Sequence, residues 1–390
     1  MEWRKELVLH GALLASGSDI AQSVQAITES QPFVRFARIH SQIPDDRELR
    51  ALVQTPSLDF VMIDCEAADD AFKAAAMLRE FAPRLGLVGF RCRMPKMARE
   101  MDLIPIAGFL SESEALNAIQ AAIRVADQSI FQNVRAFLPG KAGAGASTVA
   151  LNIAGYLVQS EHARRVLLIE GDLRSGIIGA LLDVKPQRLV SDVLHDADSL
   201  DTAIWNTCVT QKRGVDLMLT SREEPAHLPQ WYDYLHLLRY VSTRYEHVIL
   251  DFPEVINGAM IEALRRAGQT CVVTTPEVPC LNLTSARIDQ LKNNGIEPGA
   301  LKTVVNRWQR MDLPPGDIAS LSGAAIETVL PNDYASVRSA ITERRIVDPD
   351  SRLGQAFRAY VDHLAGKVPP QTMANRSSIR RLLRAIRSAA

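Results

Sequence analysis

The chain contains no apolar run approaching about 18 residues, so its sequence predicts no membrane-spanning helix. It also lacks a dominant charge. Its 44 Lys and Arg residues and 45 Asp and Glu residues leave a net charge of −1, which gives the whole molecule no strong preference for nucleic acid or membrane. The rest of the composition, 47% hydrophobic and 23% charged over 390 residues, predicts a globular protein of about two or three domains.

Cysteine is scarce and dispersed. The chain has five cysteines and no C-x-x-C pair. An odd, scattered set argues against a disulfide framework or a zinc site and favours a reducing cytoplasm. Only a short apolar run follows the charged residues after Met1, so no signal peptide is expected. The cysteines are Cys65, Cys92, Cys208, Cys271 and Cys280.

The most informative stretch lacks the lysine that directly precedes the Ser/Thr of a standard phosphate-binding loop. It runs from Phe137 to Val149 and reads Phe-Leu-Pro-Gly-Lys-Ala-Gly-Ala-Gly-Ala-Ser-Thr-Val. A predicted strand, a glycine turn and a helix start form an anion cradle, because backbone N–H groups and the helix dipole face the same point. A standard phosphate-binding loop ends Gly-Lys-Ser/Thr, with the lysine on the β/γ-phosphates and the hydroxyl on Mg²⁺. Here Ala146 takes the lysine position and Ser147 the hydroxyl position. The alternative is an ordinary Gly/Ala-rich strand–helix turn.

Two later strands end in carboxylates. The hydrophobic run 245–251 ends in Asp251, as in a Walker B strand whose aspartate holds Mg²⁺ directly or through water. Ser147 and Asp251 are therefore the predicted metal ligands. The run 166–172 ends in Glu170 and Asp172, either as part of the same site or as an acidic loop cap.

Residues 7–128 alternate strand-like and helix-like patterns. Five βα units in about 120 residues predict a doubly wound, flavodoxin-like domain. The predicted strands are 7–15, 33–39, 60–64, 87–92 and 107–110, and the helices lie near 18–30, 45–53, 68–81, 96–101 and 112–125.

A second α/β domain begins near residue 133. Its predicted strands are 134–138, 165–170, 215–219, 247–251, 270–274 and 303–306, with a short final strand at 328–330 and a last helix at 351–365. The fold class is therefore α/β with two doubly wound sheets. The predicted domain ranges are 1–130, 131–368 and a tail at 369–390.

The loop resembles the deviant P-loop of the MinD/ParA ATPases, Lys-Gly-Gly-x-Gly-Lys-Ser/Thr. Lys141 matches the early lysine, which in that superfamily reaches the phosphates of the partner across a nucleotide-sandwich dimer. Asp172 matches an acid near the attacking water, whereas Glu170 replaces an aspartate. The resemblance implies ATP and Mg²⁺ as ligands, with Lys141 and Asp172 as the catalytic residues. The loop residues that would hold the nucleotide are Lys141, Ala142, Gly143, Ala144, Gly145, Ala146, Ser147 and Thr148.

Two further positions follow from the same resemblance. Asn306 ends a strand where the superfamily contacts adenine, and Leu330-Pro331 follows the next strand at a place that lines the base. Asn306 and Pro331 are therefore predicted nucleotide contacts. A structural strand-end asparagine is the alternative, because Asn favours turns.

The first domain resembles a response-regulator receiver. Asp64 ends its third strand, where a receiver carries its phosphoacceptor. The acidic pair that would bind Mg²⁺ is absent after the first strand, and Ser111 stands near the place of the required lysine. Phosphotransfer needs a metal to neutralise the incoming phosphoryl group. We expect a pseudo-receiver used for protein contacts, with Asp64 as a structural or relic carboxylate.

A pseudo-receiver followed by a deviant MinD-like domain resembles the TadZ/CpaE family of pilus-assembly proteins. The resemblance implies a cytoplasmic, dimeric, nucleotide-binding factor that positions a Tad (type IVc) pilus machine at the inner membrane or a cell pole. Its implied partners are a second copy of the chain, the pilus secretion ATPase and the inner-membrane platform proteins. Hydrolysis is expected to be slow or absent because Ala146 replaces the lysine. The alternatives are an active MinD/ParA-type positioning ATPase and a phosphorylation-responsive regulator.

The tail is strongly basic. Residues 371–390 contain five arginines and no acid, and residues 376–387 place apolar side chains at helical spacing. A basic amphipathic helix of this kind is attracted to anionic lipid. The alternatives are a disordered tail and a helix that docks on protein, and sequence-specific nucleic-acid binding is not expected.

Overall fold

The computed structural model describes residues 9–29, 34–55, 58–82, 85–93, 96, 103–105, 130–221 and 228–366. The chain divides into two compact units, unit 1 over 1–129 and unit 2 over 130–390. Each contains one sheet in which the described strands are parallel apart from one hairpin, so the predicted α/β class with two sheets is confirmed. No helix among the described residues combines the length and apolar character that a bilayer-spanning segment needs.

Unit 1 has the strand order β2-β1-β3-β4-β5, with all pairs parallel. This is the order of flavodoxin-like sheets. The central strands β3 and β4 are apolar and fully buried, as expected for strands covered on both faces. Its elements are β1 (Leu9–Leu14), α1 (Ser18–Glu29), β2 (Val34–His40), α2 (Asp46–Leu52), β3 (Phe60–Asp64), α3 (Ala68–Phe81), β4 (Gly86–Phe90) and β5 (Ile104–Pro105).

The last part of unit 1 is described only in fragments. The predicted strand 107–110 and helix 112–125 lie outside the described residues, as does Ser111, and the predicted helix 96–101 is described only at Lys96. The basic tail and its helix 376–387 also lie outside the described residues.

Unit 2 contains eight described strands in the order β13-β12-β11-β6-β10-β7-β9-β8. The strands are β6 (Phe131–Pro139), β7 (Val166–Glu170), β8 (Thr210–Lys212), β9 (Val215–Met218), β10 (His247–Asp251), β11 (Ala267–Thr274), β12 (Leu301–Trp308) and β13 (Ala325–Pro331). The helices are α4 (Ala146–Gln159), α5 (Ile178–Leu182), α6 (Val190–His195), α7 (Thr202–Cys208), α8 (Trp231–Ser242), α9 (Gly258–Arg266), α10 (Val278–Asn293), α11 (Pro315–Ser322), α12 (Tyr334–Thr342) and α13 (Arg352–Leu364).

One strand of unit 2 was not predicted. β8 pairs antiparallel with β9 through a two-residue turn, Arg213-Gly214, in which both residues have positive φ, 52° and 84°. Such turns match the twist of the strands they join. β8 is short and polar, which explains why its apolar pattern was too weak to predict a strand.

Helix α4 lies in an apolar core on one face of the sheet, with α13 packed over it. Tyr156 stacks on Phe357 with ring centroids 5.7 Å apart. Asn152 is buried and bridges two backbone segments: its Nδ2 donates to the Thr148 carbonyl at 2.8 Å, and its Oδ1 accepts the Val347 N–H at 2.7 Å. The Tyr156 hydroxyl donates to the Val347 carbonyl at 3.0 Å. These bonds fix the helix that follows the glycine-containing loop 140–145.

Replacing Asn152 by Leu should lower the free energy of unfolding by about 1–3 kcal/mol, because the buried Val347 N–H loses its acceptor. The matched control is Gln159→Leu at the exposed end of the same helix, which should change stability by less than about 0.5 kcal/mol. Urea unfolding of the full chain measures both. Equal effects of the two substitutions would show that the Asn152 bridge does not stabilise unit 2.

Candidate functional site

Three strand ends meet at one edge of the sheet in unit 2. β10 lies between β6 and β7, and Asp251 is in register with Phe137 on one side and Glu170 on the other. The carboxyl ends of parallel strands are where ligands bind in open α/β sheets. The carboxylates of β7 and β10 and the loop after β6 therefore share one place.

The loop after β6 has the geometry of an anion cradle. Gly143 and Gly145 have φ values of 82° and 96°, a left-handed backbone that favours glycine. Gly145 precedes α4, and no side chain caps the helix start. The first N–H groups of a helix have no intrahelical acceptor, so an uncapped start can donate them to an anion. Gly140 also needs to be glycine, because a Cβ there would lie 2.1 Å from Thr284 Oγ1.

Ala146 begins α4 and is buried. Its methyl group belongs to the apolar core around α4, so the position of the usual lysine carries no charge. Ser147 follows at the base of the loop, and its hydroxyl is close enough to the Asp251 carboxylate to lower the pKa of that group. The loop therefore keeps the predicted hydroxyl–carboxylate pair and lacks the cation.

Asp251 carries the strongest electrostatic signal of the site. The residue is 2% exposed, and its Oδ1 is buried without a hydrogen-bond partner among the described groups. The pKa of Asp251 is raised to about 8, mainly by burial and in smaller part by the charges of Glu170 and Asp172, while Ser147 opposes the rise. A buried carboxylate oxygen without a donor is costly unless a cation completes its coordination.

The residues at this point fit Mg²⁺. No group of three or more His, Cys, Asp or Glu that could hold a metal was found in the described part of the chain. Mg²⁺ does not need such a cluster in nucleotide sites, where one or two protein ligands, phosphates and water complete its shell. Ser147 and Asp251 would hold the ion, which would screen the phosphate charge when bound.

Glu170 has a structural role that the sequence left open. Its buried carboxylate accepts the N–H of Ile178 at 2.7 Å and both the N–H and the hydroxyl of Thr220 at 3.0 Å. Burial raises the pKa of Glu170, and these hydrogen bonds oppose the rise. The carboxylate ties the start of α5 to the end of β9, so it does not face a nucleotide.

Asp172 stands at the site itself. Its Oδ1 accepts the backbone N–H groups of Arg174 at 3.1 Å and Ser175 at 2.9 Å, which closes the turn after β7. The residue lines a cavity of about 840 Å³ together with the loop, Ser147 and Asp251. Its predicted catalytic role remains a prediction.

The same cavity contains two cations that the sequence analysis did not select, Arg174 and Arg307. Arg307 Nη2 donates to the Gly143 carbonyl at 3.0 Å. An arginine directly after a strand end, on the same edge of the sheet as the loop, was the signal that could have identified it. The described lining also includes Leu228, Phe252, Glu254, Val255, Asn257 and Met260.

Asn306 and Pro331 lie at the predicted strand ends, but neither is among the described residues that line the large cavity. Asn306 Nδ2 donates to the Ala144 carbonyl at 2.8 Å, and Asn306 Oδ1 accepts the Arg307 N–H at 2.9 Å. The asparagine thus fixes the loop, and its contact with adenine remains a prediction.

Lys141 is exposed and lines a second, smaller cavity of about 270 Å³ on the other side of the loop. Ala142 and Gly143 line both cavities, and Ala144 lines only the smaller one. The predicted reach of Lys141 to a partner subunit remains a prediction.

Comparisons with known proteins agree with this geometry. No protein-family model matches the chain. The chain is 26% identical over 252 residues to the septum site-determining protein MinD of Synechocystis sp., a match that covers 59% of this chain and 88% of that protein. It is 29% identical over 145 residues to the tyrosine-protein kinase ptk of Acinetobacter johnsonii, which is 37% of this chain but only 19% of the kinase's length.

Solved structures share the fold. The ParA family ATPase from Chlorobium tepidum superposes with a TM-score of 0.54 at 20% identity, covering 60% of this chain and 99% of that one. MinD from Pyrococcus horikoshii, complexed with Mg-ADP, superposes with a TM-score of 0.50 at 24% identity, covering 61% and 99%. Unit 2 has the fold of MinD/ParA-type P-loop domains. The resemblance predicted from its loop is confirmed at this level.

Unit 1 handles its strand-end carboxylate differently from the MinD/ParA-type domain. Asp64 at the end of β3 is fully buried, and an arginine neutralises it: Arg91 Nε donates to Oδ1 at 3.0 Å, and Arg91 Nη2 pairs with Oδ2. Ser16 donates its N–H at 3.0 Å and its hydroxyl at 2.5 Å, and Glu66 donates its N–H at 3.1 Å. The carboxylate is thus saturated by protein donors.

The pKa of Asp64 follows from this cluster. Burial alone would raise it, but the hydrogen bonds from Arg91 and Ser16 outweigh burial and hold the pKa below its ordinary value. Arg91 has a φ of 53°, which is uncommon outside glycine. The sequence alone did not predict this ion pair. The Arg91 guanidinium covers the Asp64 carboxylate, which a phosphoacceptor would need to expose to the incoming phosphoryl group.

The Asp251 environment predicts a pH dependence in the presence of a chelator. Between pH 3.8 and about 8 the folded chain holds the Asp251 proton and the unfolded chain does not, so stability should fall as pH rises through that window. Asp251→Asn should remove this part of the slope, at most about 1.4 kcal/mol per pH unit. Urea unfolding at several pH values measures it. Parallel slopes for the two proteins would contradict the buried, protonated carboxyl.

The Asp64 cluster predicts a large effect of Arg91→Met. Because the buried Asp64 carboxylate would lose its cation, the free energy needed to open β3 and β4 should fall by about 3 kcal/mol. Arg93→Met is the matched control, because Arg93 is exposed and pairs only with the half-exposed Glu66, so its effect should stay below about 1 kcal/mol. Hydrogen exchange of β3 and β4 amides in the full chain measures both. Similar exchange in the two variants would contradict the role of Arg91.

Proposed function

We propose that the chain is an ATP·Mg²⁺-binding localisation or assembly factor for a Tad (type IVc) pilus or a related secretion machine. It acts as a dimeric scaffold that nucleotide supports, with slow or absent hydrolysis. The observation that carries the proposal is Ala146 at the lysine position beside the retained pair of Ser147 and Asp251.

Binding and hydrolysis depend on this arrangement to different degrees. Backbone N–H groups around Gly143 and Gly145, the start of α4 and a Mg²⁺ ion can each contribute contacts to a triphosphate. Hydrolysis also requires charge stabilisation that grows in the transition state. Removal of a fixed ammonium from the loop therefore slows turnover more than it weakens binding.

The scaffold role is supported by unit 1. A buried Asp64 saturated by Arg91 and Ser16 leaves a receiver-like sheet without phosphoacceptor chemistry. We therefore assign such a domain to protein–protein contacts. A receiver-like domain without phosphoacceptor chemistry, followed by a MinD/ParA-type domain, is the organisation expected of a factor that recruits a pilus secretion ATPase and inner-membrane platform proteins. Residues 376–387 are proposed to assist through membrane contact.

An active positioning ATPase of the MinD type is the second candidate. The 26% identity to Synechocystis MinD over 88% of that protein favours it. It requires brisk hydrolysis on a membrane or with a partner, so a turnover of several per second would favour this candidate over the scaffold.

The proposal predicts Mg²⁺-dependent ATP binding measured by calorimetry, with little phosphate release. Ala146→Lys should tighten ATP binding about 10- to 100-fold, since a charge-assisted contact contributes about 1.5–3 kcal/mol. Ser147→Ala should weaken binding only when Mg²⁺ is present, because its hydroxyl serves the metal. Ser160→Ala, at the other end of α4, is the control and should match the wild type. A wild-type chain that binds no ATP would refute the proposal.

The pilus assignment needs a separate test in cells. Deletion of the gene should abolish or misplace Tad pili, and the tagged full chain should co-purify with the secretion ATPase. A deletion strain with normal pili at their normal position would contradict the assembly role while leaving nucleotide binding intact.

A further inference from the structure

The large cavity is short of positive charge for a triphosphate. Its described lining carries three acids, Asp172, Asp251 and Glu254, and two cations, Arg174 and Arg307. Ala146 adds no charge at the position where a P-loop lysine would stand. Some other cation must face the phosphates if the site is to hold them tightly.

Arg307 is held against the loop by a specific geometry. Its Nη2 lies 3.0 Å from the Gly143 carbonyl oxygen. A Cβ built on Gly145 would lie 4.0 Å from the same nitrogen, so the guanidinium reaches the residue directly before Ala146. Arg307 lines both the large and the small cavity, which places its side chain across the loop.

The backbone of Arg307 has a strained conformation that the side chain of Asn306 holds in place. Its φ is 58°, in the left-handed region that non-glycine residues seldom adopt, and such residues persist where their surroundings fix them. Asn306 provides that support: its Oδ1 accepts the Arg307 N–H and its Nδ2 donates to Ala144 in the loop. The strand end of β12 and the loop are thus joined by two adjacent side chains.

We propose that Arg307 supplies the bound triphosphate with the positive charge that Ala146 lacks. This inference rests on the proposed function and deepens it. A guanidinium has five N–H donors, and one is used on Gly143, so the others are available for a planar, two-bond contact with phosphate oxygens. The ligand class is a nucleoside di- or triphosphate; a nucleoside without terminal phosphates gains nothing from Arg307.

The other nearby cations fit this role less well. Arg174 lines the cavity from the turn after β7, where its backbone N–H is bound to the Asp172 carboxylate. Lys141 lines only the smaller cavity. Arg307 lines both cavities and is bonded to the loop backbone itself at the Gly143 carbonyl.

The test compares ATP, ADP and adenosine binding by calorimetry with Mg²⁺ for the full chain and its variants. Arg307→Gln keeps a donor for Gly143 and removes the charge, so ATP affinity should fall about 10- to 100-fold while adenosine binding stays the same. Arg307→Lys should lose less than Arg307→Gln. Arg310→Gln, an exposed residue three positions further on, is the matched control and should bind ATP like the wild type.

A double variant separates charge from loop support. In an Ala146→Lys background, Arg307→Gln should weaken ATP binding less than about threefold, because the restored lysine provides the charge. Thermal unfolding of each variant checks that the fold is kept. Normal ATP binding by Arg307→Gln would overturn the inference alone. The same holds if Arg174→Gln weakens ATP binding and Arg307→Gln does not. A wild-type chain that binds neither ATP nor ADP would overturn the proposed function together with it.

Discussion

The buried Asp251 carboxylate is the constraint on which the site in unit 2 depends. It lies between the ends of β6 and β7, with one oxygen lacking a donor and two acids close enough to raise its pKa. Burial of an unpaired charge opposes folding. Without a cation the folded chain keeps the Asp251 proton up to about pH 8, and a divalent ion bound at the base of the loop would let the carboxyl ionise.

The two units treat the same structural position in opposite ways. Asp64 and Asp251 both end a central buried strand of a parallel sheet. Asp64 receives an arginine and a serine from its own unit, whereas Asp251 receives one serine and keeps an open oxygen. A carboxylate that is neutralised by side chains of its own unit has a structural role. A carboxylate oxygen without a partner among the described groups is available to a ligand. This difference agrees with the proposed contact role of unit 1 and the proposed nucleotide site of unit 2.

The sequence was sufficient to predict both sheets, most strand positions of unit 2 and the order of loop, Ser147 and Asp251. These features are local: apolar runs of strand length, a glycine turn and a carboxylate at a strand end can each be recognised without tertiary contacts. What it did not predict was pairing across the fold. Glu170 meets Thr220, Arg91 meets Asp64 and Arg307 meets Gly143 only after distant strands align. Strand β8 was missed because its residues are polar.

The proposed move of the cation from the loop to strand β12 would change how the site is controlled. A lysine at position 146 would be fixed at the start of α4, a helix held by the Asn152 and Tyr156 bonds to Val347. Arg307 instead belongs to an exposed strand end held through Asn306. Its charge faces the phosphates only while those side-chain bonds hold β12 to the loop. If Arg307 contacts a bound nucleotide as proposed, that contact and the joining of these two elements would be one event, and the nucleotide would stabilise this surface, in agreement with the proposed scaffold role.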